Sequence, residues 1–420
     1  MTKLKKYKFS DLYEMSSGIS SKPEQAGHGA PFVSFSTVFN NQFLPGLLPD
    51  LMDTSSKEKV TYSIKDGDIF LTRTSETLDE LGMSSVSIKD YPDASYSGFL
   101  KRLRPKQTNV TYGKFMAFYL RSKLFRKTMN NNAIMTLRAS LNEQIFSYLD
   151  LILPKYDEQV KIGDLFYAFN QKIELNNKTN TDLEAMAKLI YDYWFVQFDF
   201  PDENGKPYKT SGGIMVYNEE LKREIPSGWE IERLNSLLDY NSGHSFSSKS
   251  YCDSGKWKIV TIKSVQENGF DTSKCDRIKS IPQNLDAECN LEIGDLLMSL
   301  TGNTGRLCFV TESNCLLNQR VAKIWGSKLS NYFIYLYFKR PEKQKLIEQL
   351  SSGSSQANLS PLQLFKIKDL IPENTILKSF EDKIEPIFQK ILVNEKENQK
   401  LAELRDWLLP MLMNGQVRVN

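Results

Sequence analysis

Three loops of this chain concentrate hydroxyls, amides and cations around turn-forming glycines: SGHSFSSKS (242–250), TGNTGR (301–306) and SGSSQANLS (352–360). These residue types suit base recognition. Arg meets the two major-groove acceptors of guanine, and Asn or Gln meets the acceptor and donor of adenine, each through two hydrogen bonds. Lys and Arg grip phosphates. One such loop alone is an ordinary solvated turn. In the second half of the chain the candidates for DNA contact are His244, Ser245, Lys249, Thr301, Asn303, Arg306, Asn318, Arg320, Ser354, Gln356 and Asn358. Asn303, Arg306, Gln356 and Asn358 are the foremost readers among them. Arg73, Thr74, Thr136, Arg138 and Ser140 hold the matching places in the first half. Lys123, Arg126 and Lys127, with Lys339 and Arg340, lie on basic helices near the loops and are candidates for phosphate contact.

Signals for catalysis are sparse. The chain has no GxGxxG, no GxxxxGK[ST], no HExxH and no Asn-Pro-Pro-aromatic run. Its two histidines, His28 and His244, sit in Gly-rich turns, and its five cysteines show no CxxC spacing. That argues against zinc and for reduced thiols in the cytoplasm. Asp68 and Asp295 open paired turns and are expected to close them rather than act as acids. No catalytic residue, metal or cofactor is therefore expected on this chain. With 54 basic and 51 acidic residues, any DNA surface must come from local clustering. The basic N-terminus lacks the apolar core of a signal peptide, and no apolar run is long enough to span a membrane.

Two long amphipathic segments must position these loops. In the stretch from Pro154 to Trp194, apolar residues fall at Ile162, Phe166, Phe169, Ile173, Leu183, Ala187, Ile190 and Trp194. Steps of four and three are the spacing of a coiled-coil seam. A helix of this length is about 50 Å long. The stretch from Pro372 to Pro410 aligns with it without a gap at a shift of 218, and repeats the seam as Phe380, Ile384, Ile387, Ile391, Asn394, Asn398 and Leu401. Packed antiparallel, Asn176 would face Asn398 and Asn180 would face Asn394. Buried polar seam residues fix register and orientation. The helices are expected over Tyr156–Trp194 and Asn374–Leu409, with Pro386 kinking or cutting the second.

The segments between these helices repeat as well. FVSFSTVF (32–39), DIFLTRT (68–74) and SGFLKRLRP (97–105) read as strands. They match KIVTIKSV (258–265), IGDLLMSLTGNTGR (293–306) and NQRVAKIWG (318–326). GKFMAFYLRSKLFRKTM (113–129) reads as one basic helix matching 330–350. The expected fold is α+β. Two α/β recognition domains stand in tandem, separated by two long helices that form an antiparallel, pseudo-two-fold coiled coil. The boundaries are 1–153, helix 154–197, connector and second domain 198–371, and helix 372–420. Each domain would sit at one end of the helix pair, facing one side of a duplex.

With this organisation the whole chain resembles the specificity (S) subunit of a type I restriction-modification system. The resemblance rests on the duplicated order and on WFVQFDFPDENGKPY (194–208), GGIMVYNEELKREIPSGWE (212–230), GDLLMSLTGNTGR (294–306), LNQRVAKI (317–324) and SGSSQANLS (352–360). The first unit departs from it, with RTSETLDELGMSS in place of the TGNTGR phrase. The resemblance implies a non-catalytic subunit that binds a bipartite, asymmetric DNA target, one half per domain. It implies two methyltransferase (M) subunits carrying S-adenosylmethionine, restriction (R) subunits using ATP and Mg, and adenine methylation within each half. The outer helix faces at Glu174, Lys178, Glu184 and Lys188 are candidates for docking M subunits. Two alternatives stand beside it. One is the recognition subunit of a related ATP-independent methyltransferase-nuclease, and the other a coiled-coil scaffold without a DNA role.

Overall fold

Short apolar runs set the sheets that hold the loops. Ile69–Thr72 is buried along its whole length, so it reads as a continuous apolar run rather than an alternating one. The computed structural model describes all residues except 1–3, 21, 76–80, 133, 136–138, 141–148, 268, 352–356 and 420. The chain forms two compact units, one of Met1–Ile173 with Lys400–Asn420, the other of Glu174–Gln399.

In the first unit, Tyr13–Ser17, Leu100–Pro105, Ile69–Thr72 and Ser84–Val86 form an antiparallel sheet in that order. The second unit repeats it with Leu238–Ser242, Val321–Gly326, Leu296–Ser299 and Leu307–Phe309. A second small sheet in each unit contains a parallel pair. It joins Ala26–Val33 to Ser95–Tyr96 in one unit, and Trp257–Val260 to Cys315–Leu317 in the other. Each unit also has an antiparallel pair between strands far apart in the chain, just before its long helix. Lys5–Lys8 meets Asp150–Leu153, and Glu230–Arg233 meets Lys368–Ile371. The long helices follow at once, at Tyr156 and Asn374.

Local signals overturn some strand and helix expectations. FVSFSTVF is not one strand: the strand ends at Val33, and Phe35–Asn40 is helical. The Ser34 hydroxyl accepts the Thr37 N–H at 3.2 Å, a capping bond that outweighs the strand preference of the surrounding Phe and Val. The single basic helix is two helices, Gly113–Arg121 and Lys123–Asn132. Ser122 breaks it, its hydroxyl accepting the Phe125 N–H at 3.3 Å. In the second unit the break falls between Asn331–Lys339 and Pro341–Leu350, because Pro341 has no N–H to continue the first helix.

The long helices run over Tyr156–Tyr191, extended by a wider turn at Asp192–Val196, and over Asn374–Met413. Pro386 does not cut the second helix as expected. Its ring is exposed, while the neighbouring Ile384 and Phe388 are buried and hold both sides of the turn in one core. Within the second unit the helices are antiparallel. Asn176 donates to Asn398 Oδ1 at 2.9 Å, and Asn394 donates to Asn180 Oδ1 at 2.8 Å. Leu183, Ile384, Ile387 and Ile391 belong to the same core. In the first unit, Phe166 and the half-buried Phe169 share a core with Leu408, Leu409 and Leu412. Ile173 and Leu401 are half-buried.

Each helix also packs a side chain against its own recognition domain. Phe166 lies 5.3 Å from Phe118, and Phe388 stacks on Tyr332 at 4.9 Å. Phe388 lies one position beyond the predicted seam. Burying such a ring contributes about 1.5–3 kcal/mol.

Candidate nucleic-acid interface

Two glycines let separate loops meet at the edge of each main sheet. A Cβ on Gly243 would stand 2.5 Å from the Leu317 carbonyl oxygen, and one on Gly18 would stand 2.2 Å from that of Tyr96. Only a residue without a side chain allows such an approach. After Gly243, His244 bridges Asn318 in parallel; after Gly18, Ile19 bridges Ser97 in the same way.

The hydrogen bonds around these bridges repeat one for one. The Asn318 N–H donates to Val260 O at 3.0 Å, as Ser97 does to Val33 O at 3.0 Å. Gln319 donates to His244 O at 3.1 Å, as Gly98 does to Ile19 O at 2.7 Å. Leu300 donates to Arg320 O at 3.0 Å, as Arg73 does to Phe99 O at 3.0 Å. One frame therefore presents Asn318, Gln319 and Arg320 in the second unit, and Ser97, Gly98 and Phe99 in the first.

The TGNTGR loop joins this edge in the second unit. Thr301 bridges Asn358, the Gly302 N–H donates to Ala357 O at 2.9 Å, and the Leu359 N–H donates to Leu300 O at 2.8 Å. The structure thus brings His244, Ser245, Asn318, Arg320, Thr301, Asn303, Arg306 and Asn358 to one sheet edge. Ser245, Asn303, Arg320 and Asn358 are exposed there, whereas Thr301 is buried. Asn303 and Arg306 are not independent. With its carboxamide oxygen toward the guanidinium, Asn303 accepts from both terminal nitrogens of Arg306 at 3.2 Å. Lys249 is exposed on the short turn Ser248–Ser250, outside these bridges.

In the first unit, Thr74–Ser75 pairs with Ala139–Ser140, which sets Thr74 opposite Ser140 beside the exposed Arg73. Thr136, Arg138, Ser354 and Gln356 lie outside the described residues. Lys123 and Lys127 are exposed. Arg126 donates to the Leu81 carbonyl, and Arg340 pairs with Glu342, so both guanidinium groups are engaged inside their own units. Lys339 lies over the Tyr335 ring. Sequence reading missed Phe99, which is 66% exposed at the place of Arg320. Superposing SGFLKRLRP on NQRVAKIWG already sets Phe99 on Arg320, so the signal was present.

The ionisable groups near the edge suit structure rather than bond-making. Asp68 is fully buried, accepts the Lys65 N–H at 2.8 Å and pairs with Arg104 at 2.6 Å. Asp295 accepts the Glu292 N–H at 2.8 Å and pairs with Lys323 at 3.2 Å, and burial raises its carboxyl above the usual range. Both close the turns they open. Burial pushes the Cys315 thiol up to about 12 and raises Cys275, Cys289 and Cys308, which keeps these sulfurs protonated and unreactive. Among the described residues no group of three or more His, Cys, Asp or Glu could hold a metal ion. No described helix is long and apolar enough to cross a membrane.

Comparison with known proteins agrees with this arrangement. The family described as "Type I restriction modification DNA specificity domain" matches residues 1–185 and again 226–405. The HindI type I restriction enzyme specificity subunit of Haemophilus influenzae is 26% identical, over 92% of this chain and 94% of its own length. The MjaIX specificity subunit of Methanocaldococcus jannaschii is 26% identical, over 80% of this chain and 75% of its own. The crystal structure of a type I restriction-modification S subunit from M. genitalium shares the fold with a TM-score of 0.58 and 14% identity, over 98% of this chain and 96% of that one. Two copies of the family domain, each built on the same loop-bearing frame, place the chain in the type I restriction-modification specificity family, as a non-catalytic DNA-recognition subunit with two target-recognition domains.

Proposed function

We propose that each loop cluster reads one half of a bipartite, asymmetric duplex target, with domain boundaries at 1–153 and 198–371. The supporting observation is the repeated frame with unlike side chains: Asn318, Gln319 and Arg320 against Ser97, Gly98 and Phe99. Equal frames suit equal docking on DNA, and unequal side chains suit unequal sequences. In the second unit the readers are Arg320, Asn358 and the coupled pair Asn303–Arg306. Lys123 and Lys127 contribute phosphate contacts, which hold register without carrying sequence information.

The chain then delivers two M subunits, bearing S-adenosylmethionine, and ATP- and Mg-dependent R subunits to the target, where adenine is methylated. The long helices support this reading. Glu174, Lys178, Glu184 and Lys188 are exposed. Apolar residues stand beside them at positions related by the 218 shift. Leu175, Met186 and Leu189 are 58%, 51% and 69% exposed, and Val393, Leu404 and Trp407 are 58%, 41% and 64% exposed. Exposed apolar residues at matching places on the two helices suit two copies of one partner. Work on the cell's own DNA places the protein in the cytoplasm. The test is genome-wide methylation mapping in a host with and without this chain, its methyltransferase partner being present. The expected result is one two-part motif that appears only with the chain; no change in methylation overturns the proposal.

A further inference from the structure

Phe99 is a large ring exposed on backbone that is held in place. Its carbonyl accepts from Arg73 at 3.0 Å, and its N–H donates to the Ser97 hydroxyl at 3.2 Å. The following Leu100 donates back to Ser97 O at 2.9 Å and is fully buried. A Cβ on the preceding Gly98 would stand 2.9 Å from the Ile19 carbonyl oxygen, so the turn is packed on one side as well. A phenyl ring left 66% exposed gains nothing for the fold from that exposure. The ring also occupies the place where the second unit presents Arg320, and beside it the exposed Arg73 is polar while the apolar Ile19 of the same edge is buried.

We infer that Phe99 is a specificity residue of the first unit, and that it packs on the C5-methyl group of a thymine in the major groove. This rests on the proposal that the loop clusters read DNA. The chemistry follows from what a phenyl ring offers. It has no donor or acceptor for a base edge, and the thymine methyl is the one apolar group the major groove displays. The same frame thus carries a hydrogen-bonding reader, Arg320, in one unit and an apolar reader in the other. Asymmetry of the target then arises in part from this one exchange.

Deoxyuridine differs from thymidine only by that methyl, which makes it the probe. Once methylation mapping gives the target, each thymine of both half-sites is replaced by deoxyuridine in turn. Binding is measured for the assembly of this chain with its methyltransferase partner, using native chain, Phe99→Ala and Arg320→Ala. The expected result is a single thymine, in the half-site read by the first unit, whose replacement weakens native binding about fourfold, the worth of one buried methyl-sized group. Phe99→Ala should be indifferent to that replacement and should still recognise the other half-site. A first half-site without thymine overturns the inference, as does a loss that persists in Phe99→Ala. If Arg320→Ala relaxes the second half-site while no Phe99-dependent thymine is found, only this inference fails. If Arg320→Ala changes neither half-site, the assignment of the loop clusters as readers fails with it.

Discussion

In the first unit, Ile19, Ser97 and Phe99 occupy a bridged sheet edge; in the second unit the same backbone bonds hold His244, Asn318 and Arg320. The bonds agree to within a few tenths of an ångström, yet Ile19 stands where His244 does and Phe99 where Arg320 does, while Ser97 and Asn318 are both polar. The difference separates what the backbone constrains from what it leaves free. Backbone bonds and the close-approach glycines Gly18 and Gly243 permit little variation, because a buried unpaired N–H or C=O is costly. Side chains beyond the frame meet solvent or ligand and are free to differ.

Substitutions can separate the shared scaffold from the private loops. Ile384 is fully buried between the helices and the second recognition domain. Ile384→Asp should cost roughly 3–5 kcal/mol, because it buries a charge without a partner. Thermal unfolding should fall sharply, and recognition of both half-sites should go together. Recognition lost in only one half-site would show that the scaffold is not shared.

The two glycines should behave the other way. Gly18→Ala and Gly243→Ala each force a methyl onto a carbonyl at 2.2–2.6 Å, for roughly 1–3 kcal/mol of local strain. Each should degrade methylation specificity at its own half-site and leave the other intact. A symmetric effect would dissolve the comparison.

Within the second cluster, Asn303→Ala and Arg306→Ala should each relax preference at a single base, by about 1–3 kcal/mol. Because the two groups bond each other, the double variant should lose less than the two single losses combined. Strict additivity in competition binding would show that the pair is not formed.

The helices differ too, although more gently. Glu395 stands where the 218 shift places Asn177 in the first helix. Burial, with Glu184 adding its charge, pushes the Glu395 carboxyl up to about 7 from 4.5. A carboxyl with a raised folded-state pKa stabilises fully below about 4.5, and that contribution is lost as pH rises toward 7. The loss should be about 1–2 kcal/mol, since the group is partly exposed and solvent screens it. Urea unfolding of Glu395→Gln should be flatter across that window than the native chain; equal slopes would remove Glu395 as the source.

Much of the helix pair was legible. Three-and-four spacing marked both segments, and the register that sets Asn176 against Asn398 followed from the repeat itself. Phe388 was not legible, because a second buried face depends on what packs from outside. Of the two outcomes expected of Pro386 a cut does not occur, because the buried Ile384 and Phe388 on either side outweigh the lost N–H and the clash with the preceding turn. Asp68 and Asp295 were legible as turn closers because the bonds that close the turns, to the Lys65 and Glu292 N–H groups, span only three residues. The Asn303–Arg306 pairing was not, although the two residues are three apart, because loop shape decides whether their side chains turn toward each other.

By itself, the sequence determined the duplication, the two helices and the amide pairs that align them. The helices are read from local three-and-four periodicity, and the duplication and amide pairing from a repeat of side chains at a constant shift. Tertiary structure alone decided which side chains stand out at the two bridged sheet edges. His244 meets Asn318, and Leu300 meets Arg320, through backbone hydrogen bonds between distant segments. Backbone groups are the same at every residue, so such bonds leave almost no trace in sequence beyond a glycine where two strands must touch. The alignment of SGFLKRLRP on NQRVAKIWG sets Phe99 at the place of Arg320, but only the fold shows that its ring is left exposed there.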